Sequence, residues 1–175
     1  VTAAPGSTWL QTDATTDVKG WIKWVKATGT GNTGWMAGPE ADSGWRDVSS
    51  LLHGDWTPNA SAGYVRLRRR GTEVMVAGRL DRVTASGSRG AGSQLTAAAL
   101  PSGFLPRNNY VPRAQGARCV QDTAYTVIQD PSTPGLFLIY CLGSAGTWAA
   151  GDDVHFEMSY DTADAWPTSL PGTAA

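Results

Sequence analysis

At 175 residues and a formal net charge of −1, the chain has room for one ordinary domain and carries no electrostatic footprint for nucleic acid. Charged residues make up 17% of it, against roughly 25% in an average soluble protein, while 41% is hydrophobic, which excludes disorder as the default. No run of about 18 apolar residues marks a membrane insertion, Val1 to Gly6 do not form a signal peptide, and two cysteines are too few for a disulfide framework.

Six of the eight tryptophans (Trp9, Trp21, Trp24, Trp35, Trp45 and Trp56) fall in the first third of the chain. That asymmetry divides it near residue 44, into a small Trp/Gly-rich β appendage (1–44), a main β domain (45–164) and an extended Pro-rich tail (165–175). In the appendage, Trp21 to Lys26 alternates as a strand, with Trp21, Lys23 and Val25 on one face and Ile22, Trp24 and Lys26 on the other. It runs into the turn residues Thr28 to Gly34 and closes on Trp35-Met36, a small hairpin-like unit. So few strands do not bury both faces, so the unit is expected to pack on another chain or on the main domain.

The main domain opens with Asp47 to His53, the one stretch compatible with a helix, of one or two turns. Tyr64 to Arg70, the pair Gly71-Thr72, and Glu73 to Leu80 then form the clearest hairpin. Val65 and Leu67 alternate with Arg66, Arg68 and Arg70; Val74, Val76 and Leu80 alternate with Glu73, Met75 and Arg79. Further strands are predicted at 94–100, 111–115, 117–122, 124–128, 136–142 and 154–160, separated by Gly, Pro and Asp clusters such as Asp130 to Gly135. This spacing, with no long helical period, predicts an all-β, antiparallel sandwich or jelly roll. In the tail, Pro167 and Pro171 forbid helix and central strand, leaving an extended segment anchored by Trp166 or Leu170.

Glycan cleavage needs two carboxylates roughly 5–10 Å apart. Asp152-Asp153 with Glu157, or Asp161 with Asp164, are the pairs available, but Asp152 and Asp153 follow Gly151 at a strand start, where Asx bonding to a turn is the better reading. His53 and His155 sit in different elements, and no Ser lies in a nucleophile elbow. Asp153 and His155 share a strand face, which offers two metal ligands but no visible third, so no metal and no cofactor is expected. The ladder Arg66, Arg68, Arg70 suits an acidic or phosphorylated glycan, but cross-strand or inter-subunit pairing with Glu73, Asp81, Asp47 or a neighbour's carboxylates is preferred. Cys119 and Cys141 fall on strands separated by another, about 10 Å apart and beyond the roughly 7 Å a disulfide spans, so free buried thiols are expected.

Several phrases resemble minor tail proteins of siphophages that infect actinobacteria. They are Gly20-Trp21-Ile22-Lys23 with Thr28 to Trp35, Gly44-Trp45-Arg46-Asp47-Val48, Val65 to Arg69 with Gly71 to Val74, Leu100-Pro101-Ser102-Gly103-Phe104, and Ala165-Trp166-Pro167, together spread over nearly the whole chain. The resemblance implies the C-terminal head domain of a longer tail-tip or fibre protein, a homotrimer in the virion that recognises host surface glycans beside other tail proteins. It carries no residue-level binding motif. In such a head, recognition falls to the loops 86–93, 107–110 and 143–151. Tyr110 and Trp148 supply flat apolar surface for a sugar ring, and Asn108, Asn109 and Asp152 supply hydrogen bonds. The function expected is non-enzymatic attachment to host polysaccharide, without nucleic-acid binding or membrane insertion. The alternatives are a purely structural trimerisation and capping domain and, more weakly, a polysaccharide-cleaving enzyme.

Overall fold

The computed structural model describes residues 5, 7–11, 22–26, 35–37, 41–85, 93–97, 99–107, 113–116, 125–130, 133, 135–141, 147–167 and 170–175. Within them every regular element is a strand except one 3₁₀ turn, Ser49–Leu51, which is all that forms of the helix expected between Asp47 and His53. The strand pairing is antiparallel throughout, so the all-β class read from the periods holds.

Strands β1 (Thr8–Gln11), β2 (Ile22–Lys26) and β3 (Trp35–Ala37) form one sheet in that order, with Trp9 opposite Trp24 and Lys26 opposite Trp35. The hairpin-like unit expected there thus gains a third strand. The main sheet begins with β4 (Arg46–Asp47), β5 (Trp56–Pro58), β6 (Tyr64–Arg70) and β7 (Glu73–Arg82). A second sheet follows, in which β8 (Ser93–Gln94), β9 (Arg113–Gly116), β10 (Tyr125–Gln129) and β11 (Phe137–Cys141) lie in the order β8-β11-β10-β9. The chain then returns to the main sheet through β12 (Asp153–Asp161) and β13 (Thr173–Ala174). Main-sheet order is β12-β7-β6-β4-β13, with β5 continuing along β7 where β6 ends, and the whole curls into a half-barrel.

The β6–β7 hairpin forms as its alternation requires. Arg70 pairs with Glu73 across Gly71-Thr72, and Gly71 takes φ 57°, a left-handed conformation that a side chain disfavours and a tight hairpin needs. Val65 and Leu67 of β6, Val74, Val76 and Leu80 of β7, and Val154, Phe156, Met158 and Tyr160 of β12 all point inward and are buried. Val127, Phe137 and Ile139 of the second sheet enter the same core. The two sheets are stitched by Leu51–His53 against Leu95–Ala97, through His53 N–H to Leu95 O (3.0 Å) and Ala97 N–H to Leu51 O (2.8 Å). Of the strand expected over 94–100, only β8 and the bridge from Thr96 to Leu52 form. The strand expected over 117–122, with Cys119, lies outside the described residues; Cys141 ends β11.

The inward row of β6 does not stop at Leu67. Arg69 takes the next core position and is 4% exposed. Its guanidinium donates to the carbonyls of Gly71 (2.8 Å), Asp164 (2.9 Å), Ala165 (3.0 Å) and Gly103, and lies over the Trp166 ring at 5.0 Å. Burial pushes its pKa down, partly offset by the Asp164 charge, though a guanidinium stays protonated. The Asp164 carboxylate accepts from Gly103 N–H (2.8 Å) and Leu105 N–H (3.3 Å), and the buried Tyr160 hydroxyl donates to Phe104 O (2.8 Å). Burial, with Asp164 adding, pushes that phenol's pKa up.

The two ends of the domain depart from expectation. Upstream, Ser43 N–H donates to Arg69 O (2.9 Å), Gly71 N–H donates to Ala41 O (2.7 Å), and Ala41 and Ser43 are buried, so the chain joins the main sheet before the break expected at residue 44. Downstream, the Pro-rich tail is anchored through Trp166 and the partly buried Leu170, but its last residues also pair as β13 on β4. Buried Arg46 holds them by donating to Pro171 O (3.0 Å) and Gly172 O (2.8 Å). A Cβ on Gly172 would sit 1.7 Å from Asp47 O, so no side chain fits where the tail crosses β4.

Removing the Arg69 side chain would leave several enclosed carbonyls without donors. Arg69→Ala should destabilise the fold by roughly 3–5 kcal/mol, read from urea unfolding midpoints at constant m. A second expectation concerns acid. Asp42 receives Arg68 through Nε (2.9 Å) and Nη2, together with Gly44 N–H (2.9 Å). Burial alone would raise its carboxyl pKa, but those hydrogen bonds and the charges of Arg68 and Arg70 outweigh it and hold the group below its ordinary value. Its contribution is therefore present above the unfolded pKa of roughly 4 and lost as pH falls through the lower folded value. The stability gap between the parent and Asp42→Asn should be widest near neutral pH and close on acidification below about 4.

Candidate functional site

Asn108, Asn109 and Tyr110 lie outside the described residues, as do most of the loops 86–93 and 143–151. The other two residues expected at a ligand are placed elsewhere. Trp148 is fully buried, and its ring meets Trp56 edge-on, with centroids 5.2 Å apart and planes at 79°. Asp152 is 4% exposed, and its carboxylate accepts Ala149 N–H at 2.8 Å. Both assignments to a loop-tip site are therefore corrected. The turn Ala149–Asp152 is bonded to β7 through Gly151 N–H to Arg82 O (2.8 Å) and Arg82 N–H to Asp152 O (2.7 Å). That fixes Trp148 at the mouth of the core, where a large ring removes most apolar area from water.

One set of partly exposed, chemically equipped side chains lies on the outer face of β6, β7 and β12. Register sets them in rows: Tyr64, Arg79 and His155; then Arg66, Ala77 and Glu157; then Arg68, Met75 and Ser159. The Tyr64 hydroxyl and His155 Nε2 are 3.2 Å apart, with rings perpendicular at 6.3 Å. The Arg66 guanidinium carbon lies 4.2 Å from the Tyr64 ring centroid and 4.9 Å from that of Trp45. Stacking of this kind orients the fork without using its N–H donors. Ala77, small and buried, keeps the centre of the face low beneath its longer neighbours.

The arginines along β4, β6 and β7 divide sharply. Arg46 and Arg69 are bound to backbone carbonyls, Arg68 to Asp42, and Arg82 to Thr84 O (3.1 Å) and the Asp55 carboxylate (2.9 Å). Arg66 has neither hydrogen bond nor ion pair among the described residues, and its Nε is enclosed without an acceptor. The Arg79 guanidinium and the Glu157 carboxylate are likewise unbonded among those residues. Of the ladder, Arg68 is paired among the described residues, and by Asp42, which is not among the partners expected. Asp47 instead accepts Ser49 N–H (2.8 Å) and Asp81 accepts Asn59 Nδ2 (2.7 Å).

Of the carboxylates weighed for glycan cleavage, Asp152 and Asp164 are bonded to backbone N–H groups, while Asp153, Glu157 and Asp161 project from the outward row of β12. His155, weighed with Asp153 as a metal ligand, instead faces Tyr64, and no group of three or more ligating side chains forms among the described residues. No protein-family model matches the chain, and no curated protein or solved structure is significantly similar to it.

Part of this face was available to sequence reasoning. A two-residue turn at Gly71-Thr72 fixes the hairpin register and so places Arg79 opposite Tyr64 and Ala77 opposite Arg66. Nothing local signals that β12 lies on the other edge of β7, or that Trp45 reaches Arg66. Truncating Trp148 should act on stability and not on a surface: Trp148→Ala is expected to cost roughly 3–5 kcal/mol, checked by calorimetric melting against the parent. An unchanged melting temperature would put the ring outside the core.

Proposed function

We propose that this chain is the head domain of a phage tail-tip or fibre protein and attaches the virion to glycans on the host cell surface, without cleaving them. The observation that carries this reading is the outer face of β6, β7 and β12, where an arginine stacked on two aromatic rings has no hydrogen-bond acceptor among the described residues and stands beside Tyr64, Arg79, His155 and Glu157. Planar polar groups beside aromatic faces suit a sugar, whose hydroxyls take hydrogen bonds and whose C–H patches lie on rings. The phrases that resemble siphophage minor tail proteins support the role and the location in a virion among other tail proteins. Two sheets burying residues in one core suit a sandwich-like head. A neutral hydrogen bond contributes only about 1 kcal/mol, so a shallow face of this kind gains useful affinity when three copies engage one polymer.

A purely structural capping role is favoured by a different observation: Trp9 is 52% exposed on the edge strand β1, where it would serve a subunit contact as well as a ligand. Labelled protein applied to intact cells of candidate actinobacteria separates the two. Saturable binding by a species sedimenting as a trimer, with no oligosaccharide released, is the expected result. A trimer that binds no cell supports capping, and released oligosaccharide returns the chain to the enzymes.

A further inference from the structure

We infer that the host ligand carries an oxyanion, a carboxylate or phosphate on a saccharide or polyol chain, and that Arg66 and Arg79 together receive it. This rests on the attachment reading above and adds to it the chemistry of the ligand and the residues that contact it. Arg66 pairs with Ala77 and Tyr64 pairs with Arg79, so the two guanidinium-bearing positions are diagonal neighbours on adjacent strands, on one face. Both side chains are half-buried, and neither has a hydrogen bond or ion pair among the described residues.

Two like charges at diagonal positions of one face repel unless something negative joins them. Carboxylates are near enough on the same face to have done so: Glu157 shares the row of Arg66, separated from it by Ala77, and is diagonal to Arg79. Yet Glu157 bonds to neither. Of the other carboxylates around β6 and β7 on this side, Asp42, Asp47 and Asp81 are engaged by Arg68, Ser49 and Asn59, while Glu73, opposite Arg70, and Asp153, diagonal to Arg79, bond to neither arginine of the pair among the described residues. Among the described residues, Arg46, Arg68, Arg69 and Arg82 thus have partners that this pair lacks.

Arg66 is, in addition, preorganised. Rings at 4.2 and 4.9 Å hold its plane, and its Nε is enclosed without an acceptor, so an incoming oxyanion meets a fork that has little freedom left to lose. Guanidinium forks match the two oxygens of a carboxylate or phosphate. His155, in register with Arg79 and within reach of the Tyr64 hydroxyl, adds a third polar group at the margin. Low-lying Ala77 leaves room above the centre of the face for an anionic group flanked by a sugar ring on Tyr64 or Trp45.

The test uses the whole chain and three soluble polymers: poly(glycerol phosphate), polygalacturonate and neutral dextran. Titration calorimetry at low salt should show binding to at least one of the charged polymers and none to dextran, and which one binds separates a phosphate from a carboxylate source. Arg66→Gln and Arg79→Gln should each weaken that binding by about tenfold or more. Arg66→Lys should recover only part of it, and Thr57→Ala at the exposed position of β5 should retain it. Sedimentation and melting of each variant accompany the titrations. Dextran binding as tight as the acidic polymers, or parental affinity in both Gln variants, would overturn the inference. So would loss of binding that tracks dissociation of the assembly, since the face would then be a subunit contact. Cells that bind Arg66→Gln as well as the parent sink the anion site while leaving attachment standing; acidic-polymer binding through Arg66 with no cell binding does the reverse.

Discussion

Arg69 occupies the third inward position of β6, after Val65 and Leu67, where a cation has no water to turn to. Desolvating a guanidinium is tolerable only if its donors find acceptors, and here those acceptors are main-chain carbonyls from three separate segments: the hairpin turn at Gly71, the loop at Gly103, and Asp164 with Ala165 after β12. One side chain therefore fixes where the hairpin ends, how the 103–105 loop closes the core, and where the chain leaves β12. Asp164 completes the arrangement by accepting Gly103 and Leu105 N–H, so both donors and acceptors of that loop are satisfied. Trp166 covers the guanidinium and anchors the start of the tail.

The same device recurs with different reach. Arg46 holds the tail through Pro171 and Gly172 carbonyls, and Arg82 ties the end of β7 to Thr84 and Asp55 while lying 5.0 Å over Trp56. A chain with few charged residues uses these arginines as structural donors to backbone that would otherwise be enclosed and unpaired. Against that pattern Arg66, like Arg79 on β7, stands apart among the described residues. It shares the strand and the residue type, but the two-residue period turns it to the outer face, where stacking holds it and no described acceptor meets it. The contrast between Arg69 and Arg66 separates fold from site more clearly than any property of either residue alone.

Tryptophan shows the same dependence on position. Trp148 follows a Gly-rich stretch, which is a sound indication of a loop, yet its ring enters the core against Trp56 because the adjacent turn is bonded to β7. Trp9, in the segment richest in tryptophan, is 52% exposed. Glycine content describes backbone freedom and says nothing about which way the next large ring turns.

The strand periods, the Gly71-Thr72 turn and its register, the alternation of Arg66 and Arg68 with Val65 and Leu67, and the anchoring of the tail by Trp166 and Leu170 were all legible in the chain itself. Each depends on neighbours within a few residues, where the pleat and the turn geometry leave one arrangement. What the tertiary structure decided is which segments far apart in sequence share a surface. It placed β12 along β7 and so brought His155 to Tyr64, set Asp42 and not Glu73 or Asp47 against Arg68, gave the inward Arg69 its acceptors among distant carbonyls, and added Thr173–Ala174 to the sheet. Those pairings follow from closing one core over two sheets, a condition that the whole chain satisfies together and that no local pattern encodes.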